Sequence, residues 1–277
     1  MNISWYPGHM HQNRRALVKL LRPVVTVIEV LDARAPKVTT NPIFSETYRN
    51  KPCVKVLCKA DLANPEATIK WQKYFNTQPN TVCLISALEN PVTKKLLLQA
   101  VKHVVDGKII RSESAHDLVI IGIPNVGKST LVNKLAKRKL AKTGDEPALT
   151  RSQQRIRLDD SWYLIDTPGI LWPKLEDQDK AFVLAMLGSI RNTAFETEEI
   201  GWFAAELLLA HFRTKLIARY GLSAQIRTPD QLLLFIAQTR GGLSKGTRPN
   251  FHKASETLLN DIRSGKLGRL SLEYAPG

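Results

Sequence analysis

A chain of 277 residues, 43% hydrophobic and 23% charged, is long enough for two modest domains, and its composition excludes a disordered or collagen-like protein. Forty Lys and Arg against 25 Asp and Glu leave a formal net charge of +15. This points either to a polyanionic partner, since each cation set on a phosphate releases condensed counterions, or to a basic surface that only aids solubility. Three cysteines without Cys-x-x-Cys spacing argue against a zinc site or a disulfide framework. With no signal-like start and no run of about 18 apolar residues, the chain is expected in the cytoplasm, off the membrane.

The charge is uneven. Residues 1–116 carry 17 Lys and Arg against 8 Asp and Glu, whereas residues 175–277 carry 13 against 11. The basic surface is therefore expected mainly in the first two thirds of the chain.

In chain order, His9 to Leu21 reads as a basic helix carrying Arg14, Arg15 and Lys19, stopped by Pro23. Val24 to Leu31 is a β-branched run typical of a buried parallel strand, and similar runs recur at Cys53–Leu57, Val82–Ile85 and Leu118–Ile121. Helical patterns at Pro65–Phe75 and Val92–Val105 lie between them, which predicts a doubly wound α/β sheet. Gln154–Leu158 and Trp162–Ile165, joined by Asp159-Asp160-Ser161, read as a hairpin that makes one sheet edge antiparallel. After Pro173 the pattern turns helical. One long helix is expected from Thr197 to near Gly221, a second behind the capping box Thr228-Pro-Asp-Gln231, and a last one from Asn250 to Gly265. The boundary falls near residue 175.

Gly122-Ile-Pro-Asn-Val-Gly127-Lys128-Ser129 follows a strand and fits the phosphate loop G-x-x-x-x-G-K-[ST]. Its glycines let the backbone from Pro124 to Thr130 wrap phosphates, with N–H donors from every residue but the proline; Lys128 can reach the β and γ phosphates, and Ser129 can bind Mg²⁺. Asp166-Thr-Pro-Gly169, at the next strand end but one, can hold Mg²⁺ through Asp166 and offer the Gly169 N–H to the γ phosphate; alone, it would equally suit a β-turn. Thr150 is a candidate second hydroxyl on Mg²⁺.

Base choice rests on two strand ends. Lys59-Ala-Asp61 places Asp61 to accept the N1 and N2 protons of guanine, a donor pair that adenine lacks. Ser86-Ala87 can direct the Ala87 N–H at the guanine oxygen. Both lie where ligands bind in open α/β sheets.

Together these motifs resemble the translation-factor-related GTPases in rotated order, with the base-reading pair ahead of the phosphate loop. The chain is similar to the ribosome biogenesis GTPase A family, also called YlqF. The resemblance is carried by Trp5-Tyr-Pro-Gly-His-Met10, Leu31-Asp-Ala-Arg-Ala-Pro36, the phosphate loop, Asp166-Thr-Pro-Gly-Ile-Leu-Trp-Pro173 and Gly265-Lys-Leu-Gly-Arg-Leu270, and spans nearly the whole chain. It implies a circularly permuted P-loop GTPase domain over residues 1–174, with a mostly parallel six-stranded sheet and helices on both faces. A smaller all-α, rRNA-binding domain is implied over 175–277. It further implies a GTPase that binds GTP and GDP, docks on the large ribosomal subunit precursor and is monomeric off the ribosome.

Two positions depart from ordinary GTPases. Cys58 stands where the family's base motif has Asn, so a thiol replaces an amide that bonds guanine and the phosphate loop. Ile170 stands where Ras-like enzymes carry a water-positioning Gln. The resemblance makes His9 the candidate to orient that water, against a role in packing the first helix, and makes Asn125 a candidate K⁺ ligand, against a local turn bond. Candidate rRNA contacts are Arg14, Arg15, Lys19, the run Lys137-Arg138-Lys139, and Arg240, Lys245 and Arg248, each of which also suits a solvated face. A metabolic phosphate-loop kinase and an rRNA-binding switch with little hydrolysis remain as alternatives.

Overall fold

Thr26–Asp32 (β1) and Cys53–Cys58 (β2) are buried along their whole length, as β-branched runs without polar alternation require at the centre of a sheet. Thr81–Ile85 (β3), His116–Ile121 (β4), Gln154–Arg157 (β5) and Trp162–Asp166 (β6) complete a six-stranded sheet of order β3-β2-β1-β4-β6-β5. Every pairing is parallel except β5 with β6, the antiparallel edge. The computed structural model describes residues 21, 23–42, 48, 51–105, 115–137, 154–169, 177–190, 195–240 and 249–276.

Side chains alternate across a sheet, so Val27, Glu29 and Leu31 share one face with their partners Cys53, Lys55 and Leu57. Two apolar clusters occupy this face. Leu21, Val24, Val27, Tyr48, Cys53, Val119 and Ile121 form one, and Leu31, Ala33, Leu57, Ala63, Trp71, Phe75 and Cys83 the other. Between their strand positions sits a buried ion pair, Glu29 with Lys55; the Tyr48 hydroxyl donates to the same carboxylate at 2.7 Å, and the Lys55 ammonium lies 5.0 Å from the centre of the Phe75 ring. Glu29 outweighs the cost of burial and holds Lys55 above its ordinary pKa.

The helices of this unit begin where their sequences cap them. Pro36–Thr39 (α1) is a single turn after β1. In Pro65–Asn76 (α2) the Asn64 side chain accepts from the Ala67 N–H, and in Lys94–Val104 (α3) Thr93 accepts from Leu96. Lys128–Ala136 (α4) starts directly from Gly127.

The second unit is all helical: Gln178–Met186 (α5), Thr197–His211 (α6), Arg213–Tyr220 (α7), Pro229–Thr239 (α8) and Phe251–Arg263 (α9). The capping box of Thr228 and Gln231 is present, and Asn250 caps α9 through the Lys253 N–H at 2.9 Å. The single helix expected from Thr197 to Gly221 is instead two. Phe212 leaves helical geometry at φ −133°, ψ 30°, and the redirected α7 buries Leu216 and Tyr220 while Arg213 donates to the carbonyls of Ser223 and Ala224. Asp261, buried on α9, accepts from Arg219 Nε at 2.7 Å and from the Tyr220 hydroxyl at 2.9 Å, which ties α7 to α9.

The helical unit stops at Arg269. From Leu270 onward the chain belongs to the sheet unit, so the helical domain expected over 175–277 ends eight residues early.

Candidate functional site

The chemistry-bearing motifs follow β1, β2, β3, β4 and β6, so all stand at the carboxyl ends of parallel strands, where a doubly wound sheet opens to ligands. From β4 the chain runs through Gly122 to Gly127 and into α4. Asn125 (φ 62°) and Gly127 (φ 106°) both take left-handed conformations, curling the loop into a cradle. Gly127 has no room for a side chain: a β carbon there would stand 2.9 Å from the Cys58 β carbon. Pro124 and Val126 are buried, Ser129 half-buried and Thr130 exposed in the first turn of α4.

Two contacts fasten the β6 motif to this loop. The Thr167 hydroxyl donates to the Ile120 carbonyl at 2.8 Å. Gly169 lies so close to Pro124 that an added β carbon would stand 3.0 Å from the Pro124 nitrogen, so the two backbones meet with no room for a side chain. Lys128 Nζ reaches Asp166 Oδ1 at 2.6 Å, with the two residues 5% and 1% exposed. The Lys128 ammonium is thus paired with a buried carboxylate.

A second group of polar residues comes from the ends of β1, β2 and β3. Lys59 is left-handed (φ 57°), and its ammonium lies 3.3 Å from Asp32 Oδ2. Asp32 also accepts from Arg34 Nε at 2.9 Å, Arg34 Nη2 at 2.8 Å and the Arg34 N–H at 3.0 Å. Burial alone would raise the Asp32 pKa; Arg34 and Lys59 overcome this and hold the carboxyl well below the usual carboxylate range. Burial in turn lowers Lys59, against the pull of Asp32 and with the help of Arg34. Asp61 Oδ1 accepts from the Leu88 N–H at 2.9 Å, which fixes the carboxylate beside the loop after β3. The Ser86 hydroxyl accepts from the Val92 N–H at 3.2 Å. The Ala87 N–H, expected to point at a guanine oxygen, donates to the Asn90 carbonyl at 3.2 Å within the bend after β3. Cys58 is buried, and its thiol pKa is pushed up to about 12 by that burial, so the group here is a neutral thiol.

Comparison with known proteins follows the same line. A family model described as "50S ribosome-binding GTPase" matches residues 117–201. "Ribosome biogenesis GTPase A" of Priestia megaterium is 36% identical over 99% of this chain and 97% of its own, and that of Bacillus cereus 38% identical over 99% and 94%. The chain belongs to the ribosome biogenesis GTPase A family. The crystal structure of GNP-bound YlqF from T. maritima superposes with a TM-score of 0.66 at 27% identity, covering 95% of this chain and 98% of that one. This member of the family is thus a GTP hydrolase that binds guanine nucleotides and functions in ribosome assembly.

Within this family member, Lys59, Asp61, Ser86, Ala87, Lys128, Ser129, Asp166 and Gly169 all lie at the carboxyl end of the sheet. Lys137 closes α4 in a left-handed conformation and is exposed, as is Arg240 after α8. His9, Arg14, Arg15, Lys19, Arg138, Lys139, Thr150, Ile170, Lys245 and Arg248 lie outside the described residues. Sequence reasoning assigned no role to the Asp32–Arg34 pair. Its signal was the Asp-x-Arg spacing directly after a strand, inside a string noted only for its resemblance.

Proposed function

We propose that this GTPase binds the large ribosomal subunit precursor, promotes its late assembly, and hydrolyses GTP faster when so bound. The observation that carries this reading is the near full-length match to relatives named ribosome biogenesis GTPase A, joined to a chain of net charge +15. Arg14, Arg15, Lys19, Lys137, Arg138, Lys139, Arg240, Lys245 and Arg248 are the proposed rRNA contacts. The protein works in the cytoplasm, away from membranes, and is monomeric off the ribosome. Among the described residues no helix is long and apolar enough to cross a membrane.

Asp61 reads the guanine N1 and N2 protons through its carboxylate, and Lys59 packs along the base beside it. Phosphates lie in the backbone cradle from Pro124 to Thr130, with Lys128 leaving Asp166 to meet them. The donor set fits Mg²⁺: Ser129 and Asp166 both stand at the carboxyl end of the sheet, and no group of three or more His, Cys, Asp or Glu among the described residues would bind a metal independently of nucleotide. Ser129, Thr150 and Asp166 would hold it, and Mg²⁺ would neutralise charge on the phosphate oxygens. Asn125, already left-handed within the loop, is the proposed K⁺ ligand. Gly169 donates its N–H to the γ phosphate, and His9 orients the attacking water that Ile170 cannot.

Sedimentation of the protein with purified large and small ribosomal subunits, in GDP and in a non-hydrolysable GTP analogue, tests the partner. Selective, salt-sensitive cosedimentation with large subunits in the GTP-like state supports the reading; equal binding to both subunits overturns it.

A further inference from the structure

The last residues of the chain leave the helical unit at Arg269 and thread between the loops that follow β1 and β2. The Leu270 N–H donates to the Leu62 carbonyl at 2.8 Å, and the Asn64 N–H donates to the Ser271 hydroxyl at 3.1 Å. Both acceptor and donor belong to the turn that begins at Lys59 and carries Asp61. On the other side, the Leu272 N–H donates to the Arg34 carbonyl at 2.8 Å. The Glu273 carboxylate accepts from the N–H groups of Lys37 at 2.8 Å and Val38 at 3.1 Å, and the Trp71 indole donates to the Glu273 carbonyl at 3.3 Å. Leu270 and Ser271 are buried.

These bonds converge on the guanine-reading loop from two directions. Leu270 and Ser271 hold it directly, one residue beyond Asp61 and three. Leu272 and Glu273 hold residues 34–38, and Arg34 orients Asp32, the carboxylate that anchors the Lys59 ammonium. The turn itself is a short 3₁₀ segment, Ala60–Leu62, with no side-chain cap of its own. A loop that must hold a carboxylate within hydrogen-bond range of two base protons needs support from outside, and the tail provides it.

We infer that Ser271 and Glu273 are positioning residues for guanine recognition, setting Asp61 and Lys59 through the loops after β1 and β2. This rests on the reading of Asp61 as the acceptor of the guanine protons. Inosine nucleotides lack the 2-amino group and separate base reading from phosphate binding. The test measures GDP and IDP affinity by calorimetry on the full-length protein, as wild type, Asp61→Ala, Glu273→Ala, Glu273→Gln and Ser271→Ala, with thermal unfolding as a check on the fold.

Wild type prefers GDP to IDP, and Asp61→Ala loses that preference; if Asp61→Ala keeps it, the reading of Asp61 is wrong. Glu273→Ala lowers the preference by about tenfold, the scale of one charge-assisted hydrogen bond. Glu273→Gln, which keeps one acceptor for the Lys37 and Val38 N–H groups, recovers part of it. At saturating GTP the kcat of Glu273→Ala equals wild type while KM rises. Ser271→Ala deletes a single hydroxyl and stays folded even if Glu273→Ala does not, and it too narrows the GDP–IDP gap. Folded variants that keep the wild-type preference, or that weaken GDP and IDP equally, overturn the inference.

Discussion

Cys58 and Gly127 bring the end of β2 against the loop after β4: a β carbon on Gly127 would stand 2.9 Å from the β carbon of Cys58. The thiol cannot bridge the two loops with the pair of hydrogen bonds an amide offers. Cys58→Asn is expected to tighten GDP binding by about tenfold, the worth of one or two recovered hydrogen bonds. Gly127→Ala is expected to loosen it, since the new methyl meets Cys58 and the backbone there is left-handed. Calorimetric titration with GDP checks both signs.

Lys128 is held by Asp166 at 2.6 Å, and in the phosphate-binding role proposed for it Lys128 has to release that carboxylate. Asp166→Asn removes the competing charge. In EDTA, where no divalent cation uses Asp166, that variant is expected to bind GDP about tenfold tighter than wild type. With Mg²⁺ supplied, the advantage should vanish or reverse. An unchanged affinity in EDTA would show that the ion pair does not compete.

All three thiols are buried, and burial pushes Cys53, Cys58 and Cys83 from 9.0 to about 12. The folded chain keeps three protons that the unfolded chain releases. Their contribution to stability is therefore fully present below about pH 9, the ordinary thiol range, and is lost as pH rises toward 12. Denaturant midpoints measured from pH 8 to pH 11 should fall, and fall less in a Cys83→Ala variant corrected for its lost packing. A disulfide reagent should label no thiol rapidly in the native protein and three after unfolding.

The Glu29–Lys55 pair lies buried between two apolar clusters, and Glu29 Oε1 has no partner among the described residues. Lys55→Met strands a buried carboxylate and is expected to cost about 3–5 kcal/mol. Glu29→Gln combined with Lys55→Met removes both charges and should restore most of the loss. Chevron or equilibrium urea unfolding distinguishes this from simple additivity, which would make the double variant the worst of the set.

How much of this was legible in the sequence depends on how local each signal is. Val24 to Leu31 and Leu118 to Ile121 announced buried parallel strands because burial on both faces leaves no polar alternation. Thr228 and Gln231 announced a helix start because the capping box is complete within four residues. The break at Phe212 was not legible, since apolar residues continue at helical spacing through it. The return of Leu270–Glu273 to the sheet unit was hidden for a different reason: an irregular segment has no period, and its partners lie more than 200 positions away. The site divides the same way. Gly122 to Ser129 declares itself in eight consecutive residues. The Asp32–Arg34–Lys59 cluster forms only when two strands set their ends side by side, and the Ala87 N–H takes a partner three residues on that no motif specifies.

The central claim is that this GTPase turns over on the large ribosomal subunit. Phosphate release from GTP, measured for the wild-type protein with and without purified large subunits, tests it most directly. The account predicts a rise of about tenfold or more on adding subunits, about 1.4 kcal/mol or more of transition-state stabilisation, and no rise for Lys128→Ala. Equal turnover in the two conditions, with binding to the subunits intact, would contradict it.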